Sequence, residues 1–207
     1  MPDRRLLREG LGELGIVPSE GQVDSFMAYL SEIKKWNMAY NLTSLKTDED
    51  IIIKHFLDSC LYLSALPEGV LRLADVGSGA GFPGIPLKII RPKLDVSLIE
   101  PSRKKSAFLR HIIRRLGLQG IEVIGLRVED VSGEPFDAAV TRALFSVEEF
   151  IRKSARLVKK GGLLIVSKGP RAKEELKGIK ADYEVITLGL PMTDIKRQMI
   201  IIKVDGR

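Results

Sequence analysis

From residue 71 to its end the chain alternates short apolar runs with longer amphipathic stretches, and this alternation limits the possible folds more than any other feature. The runs at 71–76, 96–99, 121–124, 138–141, 163–166, 184–188 and 198–204 read as strands. The stretches at about 84–91, 102–116, 147–159 and 171–178 read as helices. Strands that alternate with helices need crossover connections, so they build a mostly parallel sheet covered on both faces. The last two runs have no helix between them, which predicts an antiparallel hairpin at one edge of a seven-stranded α/β sheet.

Residues 1–66 read differently. Phe26, Leu30 and Ile33 recur at helical spacing, and Ser19 with Gln22 has the composition of a helix-start capping box. Asn41-Leu42-Thr43-Ser44 reads as a polar loop, followed by a second helix over about 48–66 with Ile52, Ile53, Phe56, Leu57 and Cys60 on its buried side. Pro67-Glu68-Gly69 marks a boundary. The division expected is an N-terminal helical cap over 1–66 and an α/β domain over 67–207.

The segment from Asp75 to Gly84 joins the first strand to the first helix of that domain, with glycines at 77, 79 and 81. In open α/β sheets ligands bind at the carboxyl ends of the strands, and glycine there lets backbone approach the ligand closely. A dinucleotide fingerprint, Gly-x-Gly-x-x-Gly/Ala, is broken because Phe82 occupies its sixth position. The actual spacing, Gly77-x-Gly79-x-Gly81 after Asp75, is similar to the first motif of S-adenosylmethionine (SAM)-dependent methyltransferases. An acid at the end of the second strand would then accept hydrogen bonds from the ribose; Glu100 stands there. The adenine contact would follow the third strand, at Arg127-Val128-Glu129-Asp130.

Formal net charge is +6 and the pI about 9.4. Residues 1–66 carry a net −3 and residues 67–207 a net +9, so the basic charge sits in the α/β part. That excess favours a polyanionic partner. Cys60 is the one cysteine, which excludes an internal disulfide or a cysteine-rich metal site and suits a reducing, cytoplasmic compartment. The N-terminal residues lack the apolar core of a secretory signal, and no run approaches the roughly 20 residues of a membrane helix.

The ordered motifs resemble a known family. Asn41-Leu42-Thr43, Lys54-His55-Phe56-Leu57-Asp58-Ser59, Asp75 to Leu87 with its Pro83-Gly84-Ile85-Pro86-Leu87 extension, Arg127-Val128-Glu129, Thr141-Arg142-Ala143 and Lys168-Gly169 are similar to the RsmG family. Its members are bacterial 16S rRNA guanine-N(7) methyltransferases, also called glucose-inhibited division protein B. The resemblance, from about Trp36 to Gly169, implies a Rossmann-like, SAM-dependent methyltransferase domain. It also implies a target guanine in the decoding region of 16S rRNA, presented as RNA or as the small ribosomal subunit. The SAM contacts it implies are Gly77, Gly79, Gly81, Phe82, Glu100, Val128, Glu129 and Arg142. Glu100 takes a place where the family often has Asp, and Thr141 one where it often has Ser.

Nitrogen-7 of guanine carries a lone pair and no proton, so it can attack a sulfonium methyl without a general base. Positioning can supply on the order of 7–11 kcal/mol of such a barrier. Arg142, Lys168, Arg127, Asn41 and His55 are the candidates for placing the guanine; Asp58 could pair with a neighbouring base or cap a turn and is not among them. Residues 101–115 are rich in cations and without an acid, and on a helical wheel Arg103, Lys104, Arg110, His111, Arg114 and Arg115 share one arc. Lys153, Arg156, Lys159 and Lys160 form a second cluster. Neither metal nor membrane is expected, and the protein is expected to be monomeric. The alternatives are a methyltransferase for small molecules or proteins, a nicotinamide-dependent oxidoreductase, and a non-enzymatic RNA-binding assembly factor.

Overall fold

Among the described residues, seven strands form one sheet in the order β3-β2-β1-β4-β5-β7-β6. The structure, a computed structural model, describes residues 2–142, 144–170 and 172–205. The strands are β1 (Arg72–Val76), β2 (Asp95–Ile99), β3 (Ile121–Ile124), β4 (Phe136–Arg142), β5 (Val158–Lys168), β6 (Tyr183–Gly189) and β7 (Lys196–Lys203). The first five pair in parallel, whereas β7 runs antiparallel between β5 and β6. The helices are α1 (Pro2–Glu13), α2 (Glu20–Tyr40), α3 (Asp48–Ile51), α4 (Asp58–Cys60), α5 (Gly84–Ile90), α6 (Arg103–Leu116), α7 (Val147–Ser154) and α8 (Ala172–Glu175).

Every strand expected from the sequence is present, and the edge hairpin is antiparallel as expected. The helix expected to reach 159 instead gives way to a 3-10 turn over Ala155–Leu157, because Val158 already pairs with Phe136 in the sheet. That pairing lengthens β5 beyond the expected 163–166. The last expected helix is a single turn, α8; its first expected position, 171, lies outside the described residues, as does Ala143.

One face of the sheet and the helices of residues 1–66 share a hydrophobic cluster. Phe26, Tyr29 and Phe56 from the helical segment pack with Leu73, Phe82 and Phe108 from the α/β part. Tyr29 lies at the centre, its ring 5.3 Å from Phe56, 5.4 Å from Phe82 and 6.4 Å from Phe108. Ser19 caps α2 with the capping box that its sequence predicts, its side chain accepting from the Gln22 N–H (3.3 Å) while Gln22 accepts from the Ser19 N–H (2.8 Å). The opposite face is covered by α7 and its neighbours around Phe150 and Val166. Only a 3-10 turn, Val128–Asp130, and a loop connect β3 to β4, so no helix covers this face at that crossover. The side chains there are accordingly polar: Ser97 donates to the Glu122 carboxylate (2.7 Å) across β2 and β3.

The helix expected over 48–66 is continuous to Ser64 but changes type. It runs α3, then a π-helical turn over Ile52–Leu57, then α4 and a 3-10 turn over Leu61–Ser64. π turns inside helices recur at functional sites, and this one carries His55.

Candidate active site

The chain leaves β1 toward β2 on one side and later places β4 on the other. The crevice between the carboxyl ends of β1 and β4 is therefore the switch point at which open α/β sheets bind ligands. The glycine loop emerges there. Gly77, Gly79 and Gly81 have φ of 73°, 59° and 99°, in the left-handed region that favours glycine. Tyr29 supports the loop from below, donating its hydroxyl to the Ala80 carbonyl. The Asp75 carboxylate reaches under the loop and accepts from the Gly84 N–H (2.8 Å) at the start of α5. Glu100, at the end of β2, accepts from the Gly79 N–H and the Ser102 N–H, both at 2.9 Å.

Two features of this loop suit SAM. Asp75 is fully buried, yet its Oδ1 has no hydrogen-bond partner among the described residues. A buried, unpartnered carboxylate oxygen fits the ammonium of an amino-acid tail. Beside the loop lies a cavity of about 410 Å³ whose walls include Val76, Ile99, Val128, Leu144 and Phe145, apolar surfaces for an adenine ring. A second cavity of about 410 Å³, lined by Arg72, Asp95, Ser97 and Glu122, lies at the amino ends of the strands, remote from the glycine loop.

Burial pushes the Asp75 carboxyl up to about 7, with Glu100 pushing the same way against the Gly84 N–H and Arg142. A group raised above its ordinary value stabilises the fold fully below that ordinary value, and this contribution is lost as the pH rises through about 7. Without ligand, wild-type stability relative to Asp75→Asn should therefore fall between about pH 4 and 8, by roughly 3–4 kcal/mol. Urea unfolding of both proteins across that range measures the difference; a flat difference would place the Asp75 titration elsewhere.

A second group of side chains meets the loop from the other side. Arg142, at the end of β4, donates Nη1 to the Lys54 carbonyl (2.9 Å) and to Asp58 Oδ2 (3.4 Å), and Nη2 to His55 Nδ1 (2.8 Å). Arginine only donates, so His55 Nδ1 accepts and Nε2 carries the proton, which goes to Thr43 Oγ1 (2.7 Å). The His55 ring stacks on Phe82 at 4.4 Å, and the Arg142 guanidinium lies over the same ring at 5.0 Å. Burial first, and then the Arg142 charge, push His55 down to about 3, so it is neutral at physiological pH. The Arg142 Nε–H and one Nη2–H keep no partner among the described residues.

Of the sequence candidates, the structure thus brings together Arg142, His55 and Phe82. Asn41 ends α2 in the left-handed conformation (φ 49°) and is exposed; the turn it makes lets the Thr43 N–H donate to Asn37 Oδ1 (2.9 Å). Arg127 is exposed at the rim of the cavity. Val128 is buried in the wall, whereas the Glu129 carboxylate turns outward to Lys153. The Lys168 ammonium is held by the Phe145 carbonyl (2.6 Å) and Glu175 (2.8 Å), so it secures the loop that carries Leu144 and Phe145.

Sequence reasoning passed over Asp75 as a ligand group and set Asp58 aside. The available signal was the same for both: an acid inside an apolar run. Asp58 is 4% exposed and accepts from Arg197 Nε (2.7 Å) as well as from Arg142.

The basic surface is smaller than expected. Arg103, Lys104, Arg110, Arg114 and Arg115 are exposed along α6, and none has a carboxylate partner among the described residues. His111 is not part of that free arc; it pairs with Glu32 (2.6 Å) and packs on Trp36 at 5.1 Å. The second cluster is largely committed. Lys153 pairs with Glu129, Lys159 pairs with Asp137, and Arg156 donates to the carbonyls of Val128, Glu129 and Val131.

A profile of the family described as rRNA small subunit methyltransferase G matches residues 22–198. The protein of that name from Acetivibrio thermocellus is 38% identical over 97% of this chain and 88% of its own length. Its counterpart from Neisseria meningitidis serogroup A is 37% identical over 98% of this chain and 99% of its own. Among solved structures, a methyltransferase from Pyrococcus furiosus superposes with TM-score 0.62 at 12% identity, over 88% of this chain and 99% of that one. M. jannaschii TYW2, solved in complex with AdoMet, superposes with TM-score 0.56 at 19% identity, over 73% and 76%. At such identities these two bear on the fold alone, a Rossmann-like methyltransferase.

Proposed function

The chain belongs to the rRNA small subunit methyltransferase G family, and from that premise we propose that it transfers the methyl group of SAM to N7 of a guanine in the decoding region of 16S rRNA. The observation that carries the choice of atom is the absence of a free base among the described side chains that contact Arg142. Both His55 nitrogens are engaged, and Asp58 is held by two arginines. Such a site suits a nucleophile with no proton to lose.

SAM, when bound, supplies an electrophilic methyl on a sulfonium. Asp75 would hold its ammonium and Glu100 its ribose. Val128 would pack on its adenine with the Glu129 backbone alongside, and the loop from Gly77 through Gly79 and Gly81 to Phe82 would lie along the tail. The remaining Arg142 donors would face O6 of the guanine, since an N7 that attacks cannot also accept a hydrogen bond. His55 and Asn41 would act by holding Arg142 and the Thr43 turn, and Lys168 by securing the Leu144–Phe145 loop. Arg127 would reach RNA at the rim. A target in single-stranded or flipped form is required, because the RNA major groove is too deep and narrow for side chains to read. Mass mapping of 16S rRNA from cells lacking the protein tests this reading. A decoding-region guanine that stays methylated would refute it.

The free arc on α6 favours RNA over a small-molecule substrate. Arg110→Glu combined with Arg114→Glu should weaken RNA binding and reduce its log–log salt slope by about 0.7–0.9 per lost phosphate contact. SAM affinity should stay as in the wild type. An unchanged slope in filter binding would make this face a solvated surface.

We propose a cytoplasmic location, on the ground that ribosomal RNA is the substrate; among the described residues no helix is long and apolar enough to cross a membrane. A base-free methyl transfer at N7 needs no metal and no second subunit, so we propose a metal-independent monomer. The helices of residues 1–66 would act as a cap on the methyltransferase domain of residues 67–207, contributing His55 to its site.

A further inference from the structure

We infer that Asp58 and Arg197 form a positioning brace that sets which Arg142 donors remain for the substrate. The inference rests on the reading of Arg142 as the group that meets the guanine. Three elements far apart in the chain converge here: α4 contributes Asp58, the end of β4 Arg142, and β7 Arg197. The Asp58 carboxylate is 4% exposed and faces both cations. Arg197 Nε donates to Oδ1 at 2.7 Å and Arg197 Nη2 approaches Oδ2 at 3.4 Å. Arg142 Nη1 approaches Oδ2 at 3.4 Å.

The geometry argues for orientation rather than for attraction alone. A guanidinium is a planar fork, and fixing one edge fixes the rest. Asp58 and the Lys54 carbonyl hold Nη1, His55 holds one Nη2–H, and Phe82 lies beneath the plane. The Nε–H and the other Nη2–H are left without a partner among the described residues. Without the carboxylate, Arg142 keeps its contacts to His55 and Lys54 but loses the anion on its far edge, and the fork can tilt over Phe82. Arg197 acts one step further away. It holds the carboxylate by its own edge, so Asp58 cannot swing toward Arg142 and draw the fork down.

Both residues are therefore positioning residues, and neither touches substrate. The test is a double-mutant cycle on single-turnover methyl transfer. It uses the full chain, small ribosomal subunits from cells lacking the protein, and radiolabelled SAM. Asp58→Asn, which keeps shape but removes charge, should lower the rate at saturating substrates by about tenfold or more. The KM for subunits and the affinity for SAM should change less than about threefold. In an Arg142→Ala background the same substitution should have little further effect, because the brace acts only through Arg142. A purely structural role would give equal losses in both backgrounds and would overturn the proposal. So would a well-folded Asp58→Asn enzyme with the wild-type rate.

Should Asp58→Asn fail to fold, Arg197→Lys supplies the second arm. It keeps a cation but loses the two-point grip, and it should lower the rate several-fold in the wild-type background and not in Arg142→Ala. Equal losses, or none, would again refute the brace. Failure of the functional reading is distinguishable, because the wild-type protein would then not methylate the subunits at guanine N7.

Discussion

Replacing Gly79 with valine should cost the protein its SAM binding, on the order of a hundredfold or more in affinity, while the fold persists. A Cβ at Gly79 would meet only the Gly77 carbonyl oxygen, at 3.9 Å, so the side chain would project into open space above the loop. The φ of 59° adds backbone strain of roughly 1–3 kcal/mol, which a domain of this size withstands. Gly81→Ala is the contrasting control. There a Cβ would press on Ile85 and on the Tyr29 hydroxyl, so stability should fall by about 1–3 kcal/mol and binding should suffer through the loop itself. Calorimetric titration with SAM beside thermal unfolding separates the two. Normal SAM affinity in Gly79→Val would end the assignment of this loop to the cofactor.

The second large effect belongs to Arg142. Its truncation to alanine removes a charged donor that lies over Phe82 and orients His55, yet leaves Asp58 paired with Arg197, so the fold should survive. A charge-assisted hydrogen bond is worth roughly 1.5–3 kcal/mol, so single-turnover methyl transfer should slow by about tenfold to more than a hundredfold. His55→Gln should keep a substantial rate, because an amide can accept from Arg142 and donate to Thr43. With His55 held near 3, methyl transfer by the wild-type enzyme should show no ionisation of this residue between about pH 6 and 9. Loss of turnover in His55→Gln with both ligands still bound would mean that the site needs a base, and a protonated nitrogen or hydroxyl would replace N7 as target.

The strands were legible because most are short apolar runs between turn residues, and the central parallel ones, β1, β2 and β4, are largely buried. The glycine loop was legible because a left-handed backbone at alternate positions admits little else. What escaped depends on residues distant in the chain. The segment Ile52 to Leu57 has the same apolar periodicity whether its ladder is α or π, so the π turn left no mark in the sequence. Arg197 lies at the polar start of β7, ahead of its apolar run, and nothing local ties it to Asp58, 139 residues earlier. His111 looked free on a helical wheel because its partner, Glu32, belongs to another helix. The second basic cluster looked free for the same reason, and its acids, Glu129 and Asp137, come from other elements. The sequence reading placed Arg142 at the site from its motif and strand end, but the division of its donors emerges only once α4, β4 and β7 stand together.

The convergence of those elements also sets an order of assembly. A ribosome releases the chain from its N-terminus, so Asp58 emerges 84 residues before Arg142 and 139 before Arg197. For the first 84 of these residues its carboxylate has neither cation, and burying it alone is strongly unfavourable. Tyr62, whose hydroxyl donates to the Thr141 carbonyl (2.5 Å) and accepts from the Ser167 N–H (3.1 Å), waits almost as long. The first sixty residues can form helices early, but the pairing that completes the burial of Asp58 waits for Arg197 on β7. Nascent chains stalled before residue 197 should therefore keep this segment open to protease, and chains stalled well beyond it should not.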